Sequence, residues 1–481
     1  MGISLTGLAS GLDTAAMIEQ LMKLERQPYV KMEKQKEVIG YQKDIMRAMN
    51  TKLDALKTAA SELSLAAGFN ISGTTSSNKD IVGVTASDNA AKGVYNVEVT
   101  SVATNHVVKS NSISVAGNDL TGNHTFTIIH GDKELKVNID TTAHDTNDTV
   151  LNKIVSEING NSSIGITASV VETTPGNKTL TFTTTDTGTA NAITTGSAKD
   201  GTKVVLNDET GLLSKLKIID GSGNNVQDAN TVQDAVLNVN GINITRSTNE
   251  IKDVIPGIIL TLNDKGKSTI TVQQDTEKIS SKIEAFVNAY NDVAGTIRDS
   301  IKKDGAMQGD SLLKNIDSTL YNLFSARVNT SNSGISMMSQ IGLEIDKGIT
   351  DPKLMTGKIT LDKDKLLAKL KEDPQAVTEL FGKDDSTSGT PASGIAFNLN
   401  NMINNWTNSA DGLLTSSIKG YDSQLSAIDE RMEVLSQRLV RKEKALQAQF
   451  AAMEVALSGL KSEQNWLAGQ FNQLTANAKA K

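Results

Sequence analysis

A chain of 481 residues is too long for one ordinary core and implies three or four units of about 100 to 200 residues. Adding 37 glycines to the 38% hydrophobic residues gives an apolar share of about 46%, enough for packed cores, whereas 4% aromatic residues supply neither base-stacking platforms nor sugar-stacking clefts. A net charge of −7 offers no positive excess for phosphates or lipid headgroups, and the absence of cysteine removes disulfides, thiolate metal sites and thiol nucleophiles together.

Residues 1–22 contain Asp13 and Glu19 and no long apolar run, so no cleaved secretory signal is expected there. Asp13 is placed to cap a first helix over about residues 14–26, and Pro28 then either opens a second helix or kinks the first. Over residues 32–63, Met32, Gln35, Ile39, Gln42, Met46, Met49, Leu53, Leu56, Ala60 and Leu63 alternate in steps of three and four, the seam spacing of a coiled coil.

Over residues 70–274 the composition turns to Thr, Asn, Gly and Val, and the period becomes two. Tyr95, Val97 and Val99 form one half-buried strand, Leu135, Val137 and Ile139 a second, and Leu180, Phe182 and Thr184 a third. A helix over 149–159 interrupts them, with Val150, Ile154 and Ile158 on one face and Asp148 as its expected cap. Turn-rich stretches at 188–201 and 221–225 favour two β-rich domains. The most apolar stretch, 254–262, is broken by Pro256 and Gly257 and is too short to span a bilayer.

The helical period returns at Ile279, Ile283, Phe286, Val287 and Tyr290. Near the carboxyl end Ile418, Tyr421, Leu425, Ile428, Met432, Leu435, Leu439, Lys442 and Leu446 form a second seam. It stutters at Phe450 and resumes through Met453, Leu457, Leu460, Gln464, Leu467, Phe471 and Leu474. Unbroken, it would span about 85 Å, more than the amino-terminal helix can cover, which implies contacts with other subunits or partner helices. Gly459 and Gly469 are expected to weaken its last part. Asp429, Glu430, Arg431, Glu433, Arg438, Arg441, Lys442, Glu443 and Lys444 read as a solvated face.

The expected fold is multidomain α+β: terminal coiled-coil helices and a helical domain framing an inserted pair of β-rich domains. The expected borders are 1–43 plus 428–481 for coiled-coil legs and 44–69 plus 276–427 for the helical domain. The inner β-rich domain takes 70–115 plus 230–275, and the outer one 116–229.

Motifs for chemistry fail one by one. All four histidines lie between His106 and His144, but His124 and His130 are six apart along one strand face, about 20 Å at the rise of a strand. They read as surface or turn histidines. The calcium-like loop over 220–231 has Asn225 in place of the turn glycine and Thr231 in place of the glutamate. Gly221 and Gly223 lack the third glycine of a dinucleotide loop at Val226, and Pro352 stands where a phosphate-binding loop ahead of Gly357, Lys358 and Thr360 needs glycine. No nucleophile elbow or paired-carboxylate pattern stands out, so no enzyme and no cofactor is expected.

The amino-terminal run Gly7-Leu8-Ala9-Ser10-Gly11-Leu12-Asp13-Thr14, with Ile18 and Gln20-Leu21-Met22, resembles the flagellar hook-associated protein 2 family, the filament cap proteins. So does Gly93-Val94-Tyr95-Asn96-Val97-Glu98-Val99, while Ile158-Asn159 with Gly165-Ile166-Thr167-Ala168 is similar to a motif shared more widely by flagellins and hook-associated proteins. Ser247-Thr248-Asn249, Pro256-Gly257-Ile258, Phe286-Val287-Asn288-Ala289-Tyr290-Asn291, Gly309-Asp310-Ser311-Leu312, Ile341-Gly342-Leu343, Asp373-Pro374, Leu380-Phe381-Gly382 and Phe450-Ala451-Ala452-Met453-Glu454 continue the likeness in family order. The chain departs from the pattern in its Thr/Asn-rich stretch over 116–230 and in Lys461-Ser462-Glu463-Gln464, where the family pattern places a glutamine nearer Ser462.

The resemblance implies a non-enzymatic assembly factor, exported through the flagellar type III apparatus and seated as a homo-oligomeric ring, usually a pentamer, at the distal filament end. There it retains flagellin and promotes its folding and polymerisation. Implied partners are further copies of the chain, flagellin and a flagellar export chaperone, without nucleic acid, membrane insertion or cofactor. Leu5, Leu8, Leu12, Ile18 and Leu21, with Phe450, Met453, Leu457, Leu460, Leu467 and Phe471, are the expected contacts of the legs with filament and neighbours. A hook–filament junction protein and a tip adhesin binding host glycans through the β-rich head remain alternatives.

Overall fold

The computed structural model describes residues 11, 13–197, 199–223, 226–332, 334–351, 354–385 and 390–479. The chain divides into two compact units, Met1–Phe69 with Ile279–Lys481, and Asn70–Lys278.

The first unit opens with α1 (Thr14–Glu25), whose cap is the expected one: Asp13 Oδ1 accepts a hydrogen bond from Ala16 N at 2.9 Å. Helix α2 (Gln27–Leu63) starts at once, with Pro28 in its first turn, where a missing N–H leaves no bond unmade. From Ile39 to Leu63 its seam is buried, at Ile39, Met46, Met49, Leu53, Leu56, Ala60 and Leu63.

The second unit contains two cores. The strands around the first are β1 (Ser72–Ser76), β2 (Val82–Ala86) and β3 (Gly93–Ser101), joined later in the chain by β12 to β16. Between them come β4 (Asn105–Lys109), β5 (Ile113–Ser114), β6 (Asn123–His130), β7 (Lys133–Asp140), α3 (Asn147–Asn159), β8 (Ile166–Thr174), β9 (Asn177–Thr187), β10 (Ile193–Thr195), β11 (Val204–Asn207) and the short α4 (Leu212–Lys215). The chain then returns through β12 (Ala235–Val239), β13 (Ile242–Arg246), β14 (Glu250–Ile251), β15 (Ile258–Leu262) and β16 (Gly266–Gln274).

A five-stranded antiparallel sheet in the order β1-β16-β3-β12-β13 and a three-stranded sheet β14-β15-β2 bury Val97, Val99, Leu237, Leu260 and Ile270 between them. The second core lies among the sheet β10-β11-β6-β7, the strands β4, β5 and β8 on β9, and α3, which packs on β7 and β8. Phe126 and Phe182 stack there at 6.5 Å beside Val150, Ile154 and Ile158.

The structure corrects several expectations in this unit. Strand β4 pairs with β9, and Val108 is already part of the second core, so the chain passes from first core to second ahead of residue 116. Asp148 does not cap α3: Thr146 holds that position, and the Asp148 carboxylate bonds Lys178 Nζ at 2.6 Å instead. His106 and His124 are buried, not at the surface, because their strands place them on core faces. His106 Nδ1 accepts from Ile193 N at 2.8 Å, which leaves Nε2 to donate to Asp228 Oδ1 at 2.9 Å.

Back in the first unit, α5 (Thr276–Ile301) and α6 (Ser311–Ser325) are followed by the small antiparallel pair β17 (Leu343–Ile345) and β18 (Ile359–Leu361). Then come α7 (Lys363–Glu372), α8 (Pro374–Phe381), α9 (Ile395–Thr407) and the 67-residue α10 (Leu413–Lys479). Their common core is aromatic. Tyr290 and Phe324 meet at 4.4 Å, Phe286 and Phe324 at 5.6 Å, Phe286 and Phe381 at 6.0 Å, and Phe69 closes the chain on Phe381 at 5.6 Å. Burial, reinforced by the Asp317 carboxylate, pushes the Tyr290 phenol well above its ordinary range.

The borders expected at 43/44 and 427/428 fall inside α2 and α10, which pass through them without a break. Helix α10 also continues through Gly459 and Gly469.

Candidate functional site

Helices α1 and α2 both pack on α10. Ion pairs mark an antiparallel register: Glu25 to Lys442 at 3.5 Å, Lys36 to Asp429 at 2.5 Å and Lys43 to Asp422 at 2.9 Å fall in mirror order, with Arg26 to Glu443 at 3.9 Å beside the first. Such solvent-accessible pairs contribute at most about 1 kcal/mol each; jointly they fix which turn of α10 faces which turn of its partner. Asp429 and Lys442 make these pairs while staying exposed on the solvated face the sequence expected, with Glu430, Arg431, Glu433, Arg438, Arg441 and Lys444, and Glu443 is half-buried.

Between these rims the α10 seam turns inward, with Ile428 and Leu439 buried and Leu425, Met432, Leu435 and Leu446 half-buried. Tyr421 lies on the same seam, where burial, followed by the Asp310 carboxylate, raises its phenol.

Past residue 446 the inward seam fades. Phe450, Met453 and Leu457 are half-buried, but Leu460, Leu467 and Phe471 are 62%, 50% and 66% exposed. Their spacings of seven and four keep them on one face, so the described chain leaves an apolar stripe uncovered. Val455 and Trp466, eleven residues apart and both exposed, make a second apolar face that the seam reading missed.

On the amino-terminal side Ile18 is half-buried, whereas Leu21 is exposed and Met22 takes the inward place with Thr14. Thr14, Ile18 and Met22 step by four, which displaces Leu21 with Met17 and Leu24 to an outward stripe. The signal was present in that step of four, but it favours Met22 only once α10 is known to lie on that side. Leu5, Leu8 and Leu12 lie outside the described residues.

Among the described residues no group of three or more His, Asp or Glu could hold a metal ion. No described helix is long and apolar enough to cross a membrane.

Two family models match the chain: that of the flagellar hook-associated protein 2 amino terminus over residues 10–106, and that of its carboxyl terminus over residues 232–462. Together they cover more than half of it. The chain belongs to the flagellar hook-associated protein 2 family. The flagellar hook-associated protein 2 of Escherichia coli K12 is 28% identical over 99% of both chains, and the A-type protein of Pseudomonas aeruginosa is 25% identical over 99% of this chain and 98% of its own. The crystal structure of the D1–D2–D3 domains of the flagellar cap protein FliD from Escherichia coli is similar at 29% identity and a TM-score of 0.58, covering 79% of this chain and 99% of that one.

Several of the motifs shared with the hook-associated protein 2 family are framework. Asn159, Asn249 and Asn291 each clamp the backbone of one distant residue, and Phe286, Tyr290 and Phe381 build the aromatic core. Gly165, at φ +82°, lies so close under His130 that a Cβ would come within 2.3 Å of its ring.

Proposed function

We propose that this chain is a filament cap: copies assemble as a ring, a pentamer by family resemblance, at the distal end of a flagellar filament. The ring retains flagellin subunits emerging there and promotes their folding and polymerisation, without catalysis and without a cofactor. Two features support the reading together: near full-length similarity to cap proteins, and the apolar stripe past Leu457 that the described chain leaves open.

In this reading residues 1–43 and 428–481 act as legs. Leu5, Leu8, Leu12, Ile18 and Leu21 with Phe450, Met453, Leu457, Leu460, Leu467 and Phe471 make their contacts with neighbouring copies and with the filament. Before export a chaperone would shield the same stripe, since an apolar face of this length in solution invites aggregation. The chain would leave through the flagellar type III apparatus and act outside the cell at the filament tip. The helical body and the β-rich unit inserted between α2 and α5 together supply the plate beneath which flagellin is held.

Deletion of the chain should produce secreted, unpolymerised flagellin and short filaments. Filaments of normal length in the deletion strain would reject the proposal. Complementation with Leu457→Asp should restore secretion of the protein but not its retention at the tip, because docking would bury an unpaired carboxylate. Immunolabelling at the tip, not at the hook–filament junction, separates a cap from a junction component.

A further inference from the structure

The two cores of the second unit are joined by only two passages of chain, residues 101–105 outward and 228–234 back. Each passage is tied to the other. Thr104 N donates to Gln233 O at 3.0 Å, and Asn230 answers it by accepting from Val107 N and donating to Asn105 O, both at 2.8 Å. Such a neck is a two-stranded ribbon, and bodies joined this way pivot unless something else holds them.

A third connection exists, and no main-chain passage makes it. Where β9 ends, residues 187–189 reach from the second body to Asp234, at the foot of the return passage just before β12, and to Ser247 of the first body. Thr189 donates twice to the Asp234 carboxylate, from N to Oδ1 at 2.7 Å and from Oγ1 to Oδ2 at 2.8 Å. Thr187 Oγ1 donates to Ser247 O at 2.6 Å. Between them Gly188, at φ +89°, lies so close to Ser247 that an added Cβ would come within 2.5 Å of its backbone. Its N–H donates to Thr104 O at 3.0 Å, which ties this connection to the neck. Asn191 Nδ2 braces it from behind, donating to Thr187 O at 2.7 Å.

We infer that residues 187–189 form a latch that fixes the second β-rich body on the first, with the Asp234 carboxylate as its anchor. Latched, the unit is one rigid arm; released, it hinges at the neck. A carboxylate accepting from both a backbone N–H and a hydroxyl of one residue holds more firmly than a neutral pair. Its loss leaves both cores untouched, because Thr189 and Asp234 belong to neither.

The test uses the full chain, whose lack of cysteine makes introduced thiols unique. Spin labels at Ser162→Cys, in the second body, and Lys265→Cys, in the first, report the distance between them by double electron–electron resonance. The latched chain gives one narrow distance distribution. Asp234→Ala should broaden it roughly twofold or more, Thr189→Val, which keeps the N–H, should broaden it less, and Gly188→Ala should wedge the latch apart and match Asp234→Ala. Unchanged circular dichroism shows that both bodies remain folded. A distribution in folded Asp234→Ala and Thr189→Val as narrow as in the parent overturns the latch, and so does a broad distribution in the parent itself.

Discussion

Asparagine does at residue scale what extra strands do elsewhere in a sheet. Asn291 donates from Nδ2 to Ile359 O at 2.8 Å and accepts at Oδ1 from Ile359 N at 2.7 Å, so one side chain satisfies both polar groups of a strand residue 68 positions away. Asn159 does the same for Ala168 at 2.8 Å in both directions, and Asn249 for Ala103 at 2.7 and 2.8 Å. An amide suits this task because it carries donor and acceptor side by side on one short planar group, spaced to meet the N–H and C=O of one residue. Asn291→Asp would lose the donor and press a carboxylate against a carbonyl, so a loss of about 2 to 3 kcal/mol is expected, measured as a lower urea midpoint. Asn472→Asp, on exposed helix, should shift it by less than about 0.5 kcal/mol. Equal midpoints for the two variants would remove the clamp from the account. Each of these asparagines was visible in the sequence within a family-like motif. Their purpose was not, since the partner backbone is set by tertiary packing and leaves no mark on local periodicity.

At the scale of elements, end groups decide stability. Asp373 caps α8 by accepting from Ala376 N at 3.0 Å and is braced by Asn332 Nδ2 at 3.0 Å, and the first of these bonds in particular holds its carboxyl below the ordinary range. Burial alone would raise Glu379, six residues on, but hydrogen bonds from Gln375 and Ser331 outweigh it and its carboxyl is also lowered. A folded-state value below the unfolded one means stability that is complete above the unfolded carboxylate range and lost as pH falls through the folded value. Melting temperature should therefore decline below about pH 4, and Asp373→Asn, which can still cap, should flatten that decline. An acid limb as steep in the variant as in the parent would show that other carboxylates carry it. Asp13 was legible because a cap and its helix are adjacent in sequence. Asp148 misled for the opposite reason: its stronger partner, Lys178, arrives from β9, thirty residues later. Strand β4 was likewise misassigned, since a period of two gives an alternating face but not the strand that will pair with it.

For the whole molecule, the frame of helices around inserted strands follows from the order of periods along the chain, and so does the pairing of its two ends. The cover of the distal stripe on α10 does not follow, because a seam records that a partner exists without recording which one. The same limit applies to the second stripe of Val455 and Trp466, which interrupts no heptad. Exposure in the single chain nevertheless separates assembly from folding. Leu53 is fully buried, so Leu53→Asp should lower the melting temperature of the first unit sharply, by the burial of an unpaired charge. Leu460 and Phe471 face solvent, so Leu460→Asp with Phe471→Asp should leave that melting temperature unchanged while abolishing a ring-sized species in light scattering. If the double variant still assembles like the parent, the stripe is not the ring contact, and the exposed α1 row of Met17, Leu21 and Leu24 becomes the surface to change next. If it loses assembly and melting stability together, the distal helix is part of the protomer's own fold, and its exposure is filled from within the chain.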